Sequence, residues 1–217
     1  MAIMNKVGGL FALFSLAFFA QGAWAAGVPI GDPVAGQEKS AVCQGCHGGT
    51  GNSESAEFPR LAGQYAGYIV KQIKDFKSGV RANNETMAGM AATVETVQDM
   101  KDIASYFSQQ AMVKEPLAKV NKKLAEKGED IFKNGRPEKD LYACINCHGE
   151  RGKGKAPTVS VFPVIGGQHR DYIIKELKDL QSGLRANDPG AMMSEIAKKL
   201  SADEVEAVAE YLSQQLP

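Results

Sequence analysis

Cysteine, histidine and tryptophan are scarce in this chain of 217 residues, which has four, three and one of them. A surplus of either charge is missing too, since 25 basic residues stand against 25 acidic ones. There is no basic stripe of the kind that would bind nucleic acid. Beyond the first twenty residues no apolar run reaches the ~18 residues of a membrane span. Alternating β-branched segments are almost absent, which argues against a sheet protein. Composition alone therefore gives only a soluble, largely helical chain.

The few cysteines and histidines are concentrated in Cys43-Gln44-Gly45-Cys46-His47 and Cys144-Ile145-Asn146-Cys147-His148, which use all four cysteines and two of the three histidines. Two thiols three residues apart on one turn can add across the two vinyl groups of a haem. The next residue then sets an imidazole against the iron from the same side. Two such pairs could instead supply four thiolates to zinc, form thioredoxin-like redox pairs, or close small disulfides. Zinc has no need of a histidine directly after each second cysteine, and the redox reading wants a βαβ context that neither motif has. The spacing thus predicts two covalently bound haem c groups on Cys43, Cys46, Cys144 and Cys147, with His47 and His148 on the iron.

The N-terminus carries Lys6, an apolar run from Val7 to Ala20 and then Ala23-x-Ala25. This is the pattern of a cleavable secretory signal peptide. Cleavage after Ala25 is expected, with Ala26 the second choice, and export to the periplasm agrees with covalent haem attachment outside the cytoplasm. About 190 residues remain, enough for two small domains.

Those residues repeat. Phe58-Pro59-Arg60-Leu61-Ala62-Gly63-Gln64 matches Phe162-Pro163-Val164-Ile165-Gly166-Gly167-Gln168, and Ser78-Gly79-Val80-Arg81-Ala82-Asn83 matches Ser182-Gly183-Leu184-Arg185-Ala186-Asn187, both at an offset of 104. The haem motifs are offset by 101, and the closing segments around Tyr106 and Tyr211 by 105. Such a series is a duplication, with one haem domain in each copy. The reading is a signal peptide over 1–25, domain 1 over 26–112, a linker over 113–122 containing Pro116, and domain 2 over 123–217. The extra Asn134-Gly135-Arg136-Pro137 reads as a surface loop. Apolar residues at helical spacing, such as Tyr68, Ile69, Ile73 and Phe76, predict three helices per domain: one entering the haem motif, one in the middle and one at the end. The fold class is all-α, wrapped around haem that supplies much of the apolar burial.

A closed electron-transfer site needs a sixth ligand, and a thioether raises the potential. Met87 or Met90 serves in the first half, and Met192 or Met193 in the second. Aligning Met87-Ala88-Gly89-Met90-Ala91 with Met193-Ser194-Glu195-Ile196-Ala197 puts Met90 opposite Ile196, which cannot ligate. Met87 and Met193 are then the matched pair, while core packing explains Met90. Pro59 and Pro163 either accept a hydrogen bond from the histidine Nδ1–H or merely turn the chain. Arg81 and Arg185 are either solvated or paired with haem propionates. His169 aligns with Tyr65 and is expected at the surface or the domain interface, away from the iron.

Two Cys-x-x-Cys-His domains, each followed by Phe-Pro-x-[Leu/Ile]-x-Gly-Gln-x-x-x-Tyr and a methionine loop, resemble the dihaem cytochrome c4 family over essentially the whole mature chain. The resemblance implies two tandem class I cytochrome c folds with haems facing each other across the domain interface, and His47/Met87 and His148/Met193 ligation. It implies a periplasmic electron carrier, not an enzyme, often loosely membrane-associated. Its donor would be a quinol-oxidising cytochrome complex and its acceptor a haem-copper terminal oxidase. A dihaem subunit of a larger dehydrogenase, such as a flavocytochrome, is the second reading. A dihaem peroxidase is the third, and a methionine at both matching positions argues against it.

Overall fold

The computed structural model describes residues 30–113, 120–155 and 161–216. The expected signal peptide, Pro116 and most of the expected linker therefore lie outside the described residues. In domain 1 the helices are α1 (Pro33–Lys39), α2 (Ala41–His47), α3 (Ala66–Lys77), α4 (Glu85–Ala92) and α5 (Val97–Ser108). In domain 2 they are α6 (Lys122–Asn134), α7 (Ile145–His148), α8 (Arg170–Ser182), α9 (Met192–Lys198) and α10 (Ala202–Ser213). Among the described residues extended pairing is confined to two isolated bridges, Arg136 with Leu141 and Lys155 with Phe162. None of the helices described is long and apolar enough to cross a membrane.

Local chemistry explains the ends of these helices. Asp32 caps α1, its Oδ1 accepting from Val34 N at 2.8 Å, with Pro33 in the first turn where its missing N–H costs nothing. Thr96 with Asp99 and Ser201 with Glu204 form reciprocal capping boxes at the starts of α5 and α10. Each domain then crosses its first helix over its last at a glycine. A Cβ on Gly36 would lie 2.0 Å from the Asp102 carbonyl oxygen, and one on Gly128 would lie 1.9 Å from that of Ala207. Only a bare Cα lets the two backbones touch there.

Two separate cores follow. Ile73, Ile103 and Phe107 belong to the first, and Ile131, Phe132, Val205 and Leu212 to the second, with no residue shared. The structure adds to the three helices expected per domain. The methionine segments are themselves helical, α4 and α9, and the helix entering the first motif breaks at Ser40 into α1 and α2. The insertion read as a surface loop is anchored: Arg136 pairs with Asp130 at 2.8 Å, and Leu141 is buried in the second core.

The two domains meet through polar side chains of the repeat. Arg81 donates to Tyr172 Oη at 3.2 Å, and Arg185 donates to Tyr68 Oη at 3.0 Å. Asn83 donates to Asp179 at 2.7 Å, and Asn187 to Asp75 at 2.6 Å. Arg81 also stacks over Phe76, 4.5 Å from the ring centre. Neither arginine is solvated, and both guanidinium groups are committed to this interface.

Candidate functional site

Each haem motif is a short helix that ends on its histidine. Cys43, Cys46 and His47 lie at positions i, i+3 and i+4 of α2, so all three share one face. Gly48, at φ +81°, then turns the chain, and a Cβ there would stand 2.9 Å from the Asn52 carbonyl oxygen. Gly149, at φ +71°, does the same after α7, with a Cβ only 2.6 Å from the Gly154 oxygen. A left-handed residue at both places releases the histidine side chain inward.

His47 and His148 are buried. His47 Nδ1 lies 2.8 Å from the Pro59 carbonyl oxygen, and His148 Nδ1 lies 3.0 Å from that of Pro163. A carbonyl can only accept, so Nδ1 carries the proton and the Nε2 lone pair is left for a ligand. Burial pushes both imidazoles below their ordinary pKa, and the carbonyl opposes this only in part. Each is therefore neutral at pH 7, the form that binds metal. Of the two roles weighed for Pro59 and Pro163, the geometry shows the hydrogen-bond acceptor.

None of the four cysteines is paired in a disulfide. Among the described residues no three of His, Cys, Asp and Glu gather as a metal site, so the two cysteine pairs do not join into one centre. Cys43 packs against the first core together with Leu61 and Met87. Cys144 packs against the second together with Ile145, Ile165 and Met193. Burial raises both of these thiols, Cys144 to about 11. In each domain the first cysteine of the pair and a partly buried methionine pack on the apolar core, a buried neutral imidazole directly follows the pair in sequence, and this donor set fits a covalently attached haem.

The methionines differ in setting. Met87 sits in the first turn of α4, its N–H donating to the Asn84 cap at 2.8 Å. Met193 follows a turn with Gly190 at φ +62° and Ala191 at φ +56°. Asp188 steadies that turn by accepting from Ser194 N at 2.9 Å and Ser194 Oγ at 2.8 Å. Met90 is half-buried and outside the residues packed on the core, while Met192 is 44% exposed. His169 lies at the domain interface, its Nε2 2.9 Å from the Ser53 carbonyl oxygen. Reading the sequence singled out neither the crossing glycines nor a cross-domain role for Gln64 and Gln168. Their signal was a repeat of polar residues that helical periodicity did not require.

The cytochrome c family model matches residues 34–111 and 125–215. Cytochrome c4 of Thiocapsa roseopersicina is 43% identical over 189 residues, covering 87% of this chain and 95% of that protein. The thiosulfate dehydrogenase electron acceptor of Thiomonas intermedia is 32% identical, covering 98% of this chain and 92% of the relative. The crystal structure of reduced recombinant cytochrome c4 from Pseudomonas stutzeri superposes with a TM-score of 0.76 at 38% identity, over 85% of this chain and 98% of that one.

Proposed function

The chain belongs to the dihaem cytochrome c4 family and carries two covalent haem c groups, and from that premise we propose that it is a periplasmic electron carrier with two fully ligated haems. It takes electrons from a quinol-oxidising cytochrome complex and passes them to a haem-copper terminal oxidase. His47 with Met87 and His148 with Met193 hold the irons, and Cys43, Cys46, Cys144 and Cys147 form the thioethers. The observation that carries this reading is the repetition of the donor set: in each domain a buried histidine with Nδ1 on a proline carbonyl accompanies a cysteine and a partly buried methionine, Met87 or Met193, that pack on that domain's core. The bound haem supplies a one-electron couple. The chain's residues attach it, keep water from it and set its ligand field.

The mature chain begins at Ala26 or Gly27 and divides into domains over 26–112 and 123–217, joined by 113–122. Association with the membrane, where it occurs, is peripheral. Service as the cytochrome partner of a dehydrogenase is the second reading, favoured by the relative named as a thiosulfate dehydrogenase electron acceptor. Spectra of the reduced protein with and without carbon monoxide test full ligation: both haems should ignore the gas. Purification from the native source separates the two readings, because a carrier emerges alone and a subunit emerges with its dehydrogenase. N-terminal sequencing of the same material checks the leader.

A further inference from the structure

The two domains hold each other's histidine loops by the same device. One peptide group joins Pro163 to Val164, and its carbonyl oxygen lies 3.0 Å from His148 Nδ1. The N–H at the other end of this planar unit donates to Gln64 Oε1 of the opposite domain at 3.1 Å. Gln64 Nε2 then donates to the Val164 carbonyl at 2.8 Å, closing a two-point clamp.

The mirror image is complete. The Pro59 carbonyl lies 2.8 Å from His47 Nδ1, and the N–H of the same peptide, from Arg60, donates to Gln168 Oε1 at 2.9 Å. Gln168 Nε2 donates to the Arg60 carbonyl at 3.0 Å. Each carboxamide oxygen also accepts from the next backbone N–H, Tyr65 at 2.9 Å and His169 at 3.0 Å, which fixes its direction. A hydrogen-bonded chain therefore runs from each glutamine, through one peptide group, to the histidine of the other domain.

We propose that Gln64 and Gln168 are positioning residues, each setting the strength of the hydrogen bond to the histidine of the opposite domain, so that contact between the domains tunes both haems. The inference rests on the His47 and His148 ligation proposed above. An acceptor on the amide N–H polarises the peptide and places more negative charge on its oxygen. A stronger acceptor at Nδ1 makes the imidazole more basic, which favours ferric over ferrous iron and lowers the potential. A glutamine that only glued the domains together would, when lost, disturb both sites alike. A relay through the peptide predicts a crossed effect instead.

The test uses the full-length haem-loaded protein with Gln64→Met and Gln168→Met, which keep side-chain volume but remove donor and acceptor. Gln64→Glu and Gln168→Glu remove the donor and put a charged, stronger acceptor on the amide N–H. Two readouts are taken: exchange of each histidine Nδ1 proton by NMR in the reduced state, and both potentials by titration. Gln64→Met should speed exchange at His148 about tenfold and raise one potential, leaving His47 unmoved. Gln168→Met should do the reverse, and the Glu variants should show the same crossing with shifts of opposite sign, slower exchange and a lower potential. An effect on the same-domain histidine, an equal effect on both, or none overturns the proposal. Should the Met variants fail to fold, the Glu variants decide the same question. The wild type separates the two layers of argument. If it lacks the Nδ1 signals of iron-bound histidines, the ligation reading fails, whereas intact signals without crossing defeat only the relay.

Discussion

Among the polar side chains around the paired arginines, the two halves of the interface differ at one position, where domain 1 has Gln72 and domain 2 has Glu176. Around this pair Tyr68 faces Tyr172, Arg81 faces Arg185, and Asn83 faces Asn187, each in the same hydrogen bonds. Arg81 donates to Gln72 Oε1 at 2.8 Å just as Arg185 donates to Glu176 Oε2 at 2.8 Å. Glu176 does more, because Arg81 of the other domain also reaches its Oε2, at 2.8 Å. One buried carboxylate thus serves two guanidinium groups, while its amide twin serves as a neutral acceptor. A duplicated face that docks on itself brings like groups together. Making one member of the pair neutral spares the interface a second buried acid beside Asp75 and Asp179 while both arginines stay satisfied.

The haem sites carry the largest expected effects. Met87→Ala should abolish the methionine–iron charge-transfer band of one haem, lower its potential and open it to carbon monoxide, and Met193→Ala should do so at the other. Met90→Ala and Met192→Ala should leave both bands in place. If the domains are equivalent at this level, the two ligand losses will be equal in kind. A band that survives Met193→Ala would instead show that the longer turn before α9 presents a different ligand.

Breaking the asymmetry at the interface comes next. Glu176→Gln leaves Arg81 and Arg185 buried with no carboxylate between them, and should weaken domain docking by about 3 kcal/mol. Gln72→Glu restores the symmetry with Arg81 alongside, and should cost less. Denaturation followed separately at each haem measures both, and a cost for Gln72→Glu equal to that of Glu176→Gln would refute the role given to the single acid. The helix crossings should respond less. Gly36→Ala and Gly128→Ala force backbones apart that touch at about 2 Å from a built Cβ. Roughly 2 kcal/mol of destabilisation is expected in the domain that bears each change, read in the same experiment. A variant that unfolds the other domain first would contradict the separation of the two cores.

Much of this architecture was legible because it is written in periods. The helical spacing of Tyr68, Ile69, Ile73 and Phe76 and the constant offset of the repeats gave an all-α duplicate, and the paired thiols with an adjacent histidine gave two haems. Helices α4 and α9 were hidden because Met-Ala-Gly-Met and Met-Met-Ser-Glu are short and weakly amphipathic. Asn84, the cap of α4, and Asp188, which accepts from Ser194 N in the first turn of α9, were the available signal. Gly36 and Gly128 could not be read as crossings, since the need for a bare Cα comes from Asp102 and Ala207, more than sixty residues away. The glutamines were visible as repeats, but a repeat does not say whether a side chain serves its own domain or its twin. That answer depends on docking, which no local pattern encodes.

Acid should produce the smallest and most selective effect. Burial alone would raise the Glu176 carboxyl, but the charges of Arg81 and Arg185 outweigh it and hold the group below its ordinary value of 4.5. A carboxyl whose pKa is lower folded than unfolded adds stability that is complete above the unfolded value. That stability is lost as pH falls through the folded one. Docking should therefore hold near pH 5 and weaken progressively below about 4.5 as Glu176 takes up a proton. Within domain 1, Lys39 bonds Asp99 and Asp102 and holds both low, Asp99 at about 2, so the α1–α5 contact should outlast the interface as pH falls. Denaturation midpoints measured at each haem from pH 7 to pH 3 would show coupling between the domains failing before either domain unfolds. In Glu176→Gln the pH dependence of coupling should flatten, while that of domain 1 stays as it was. If coupling in that variant still falls steeply over the same range, the acid sensitivity does not belong to Glu176, and the asymmetry at position 176 does not control docking.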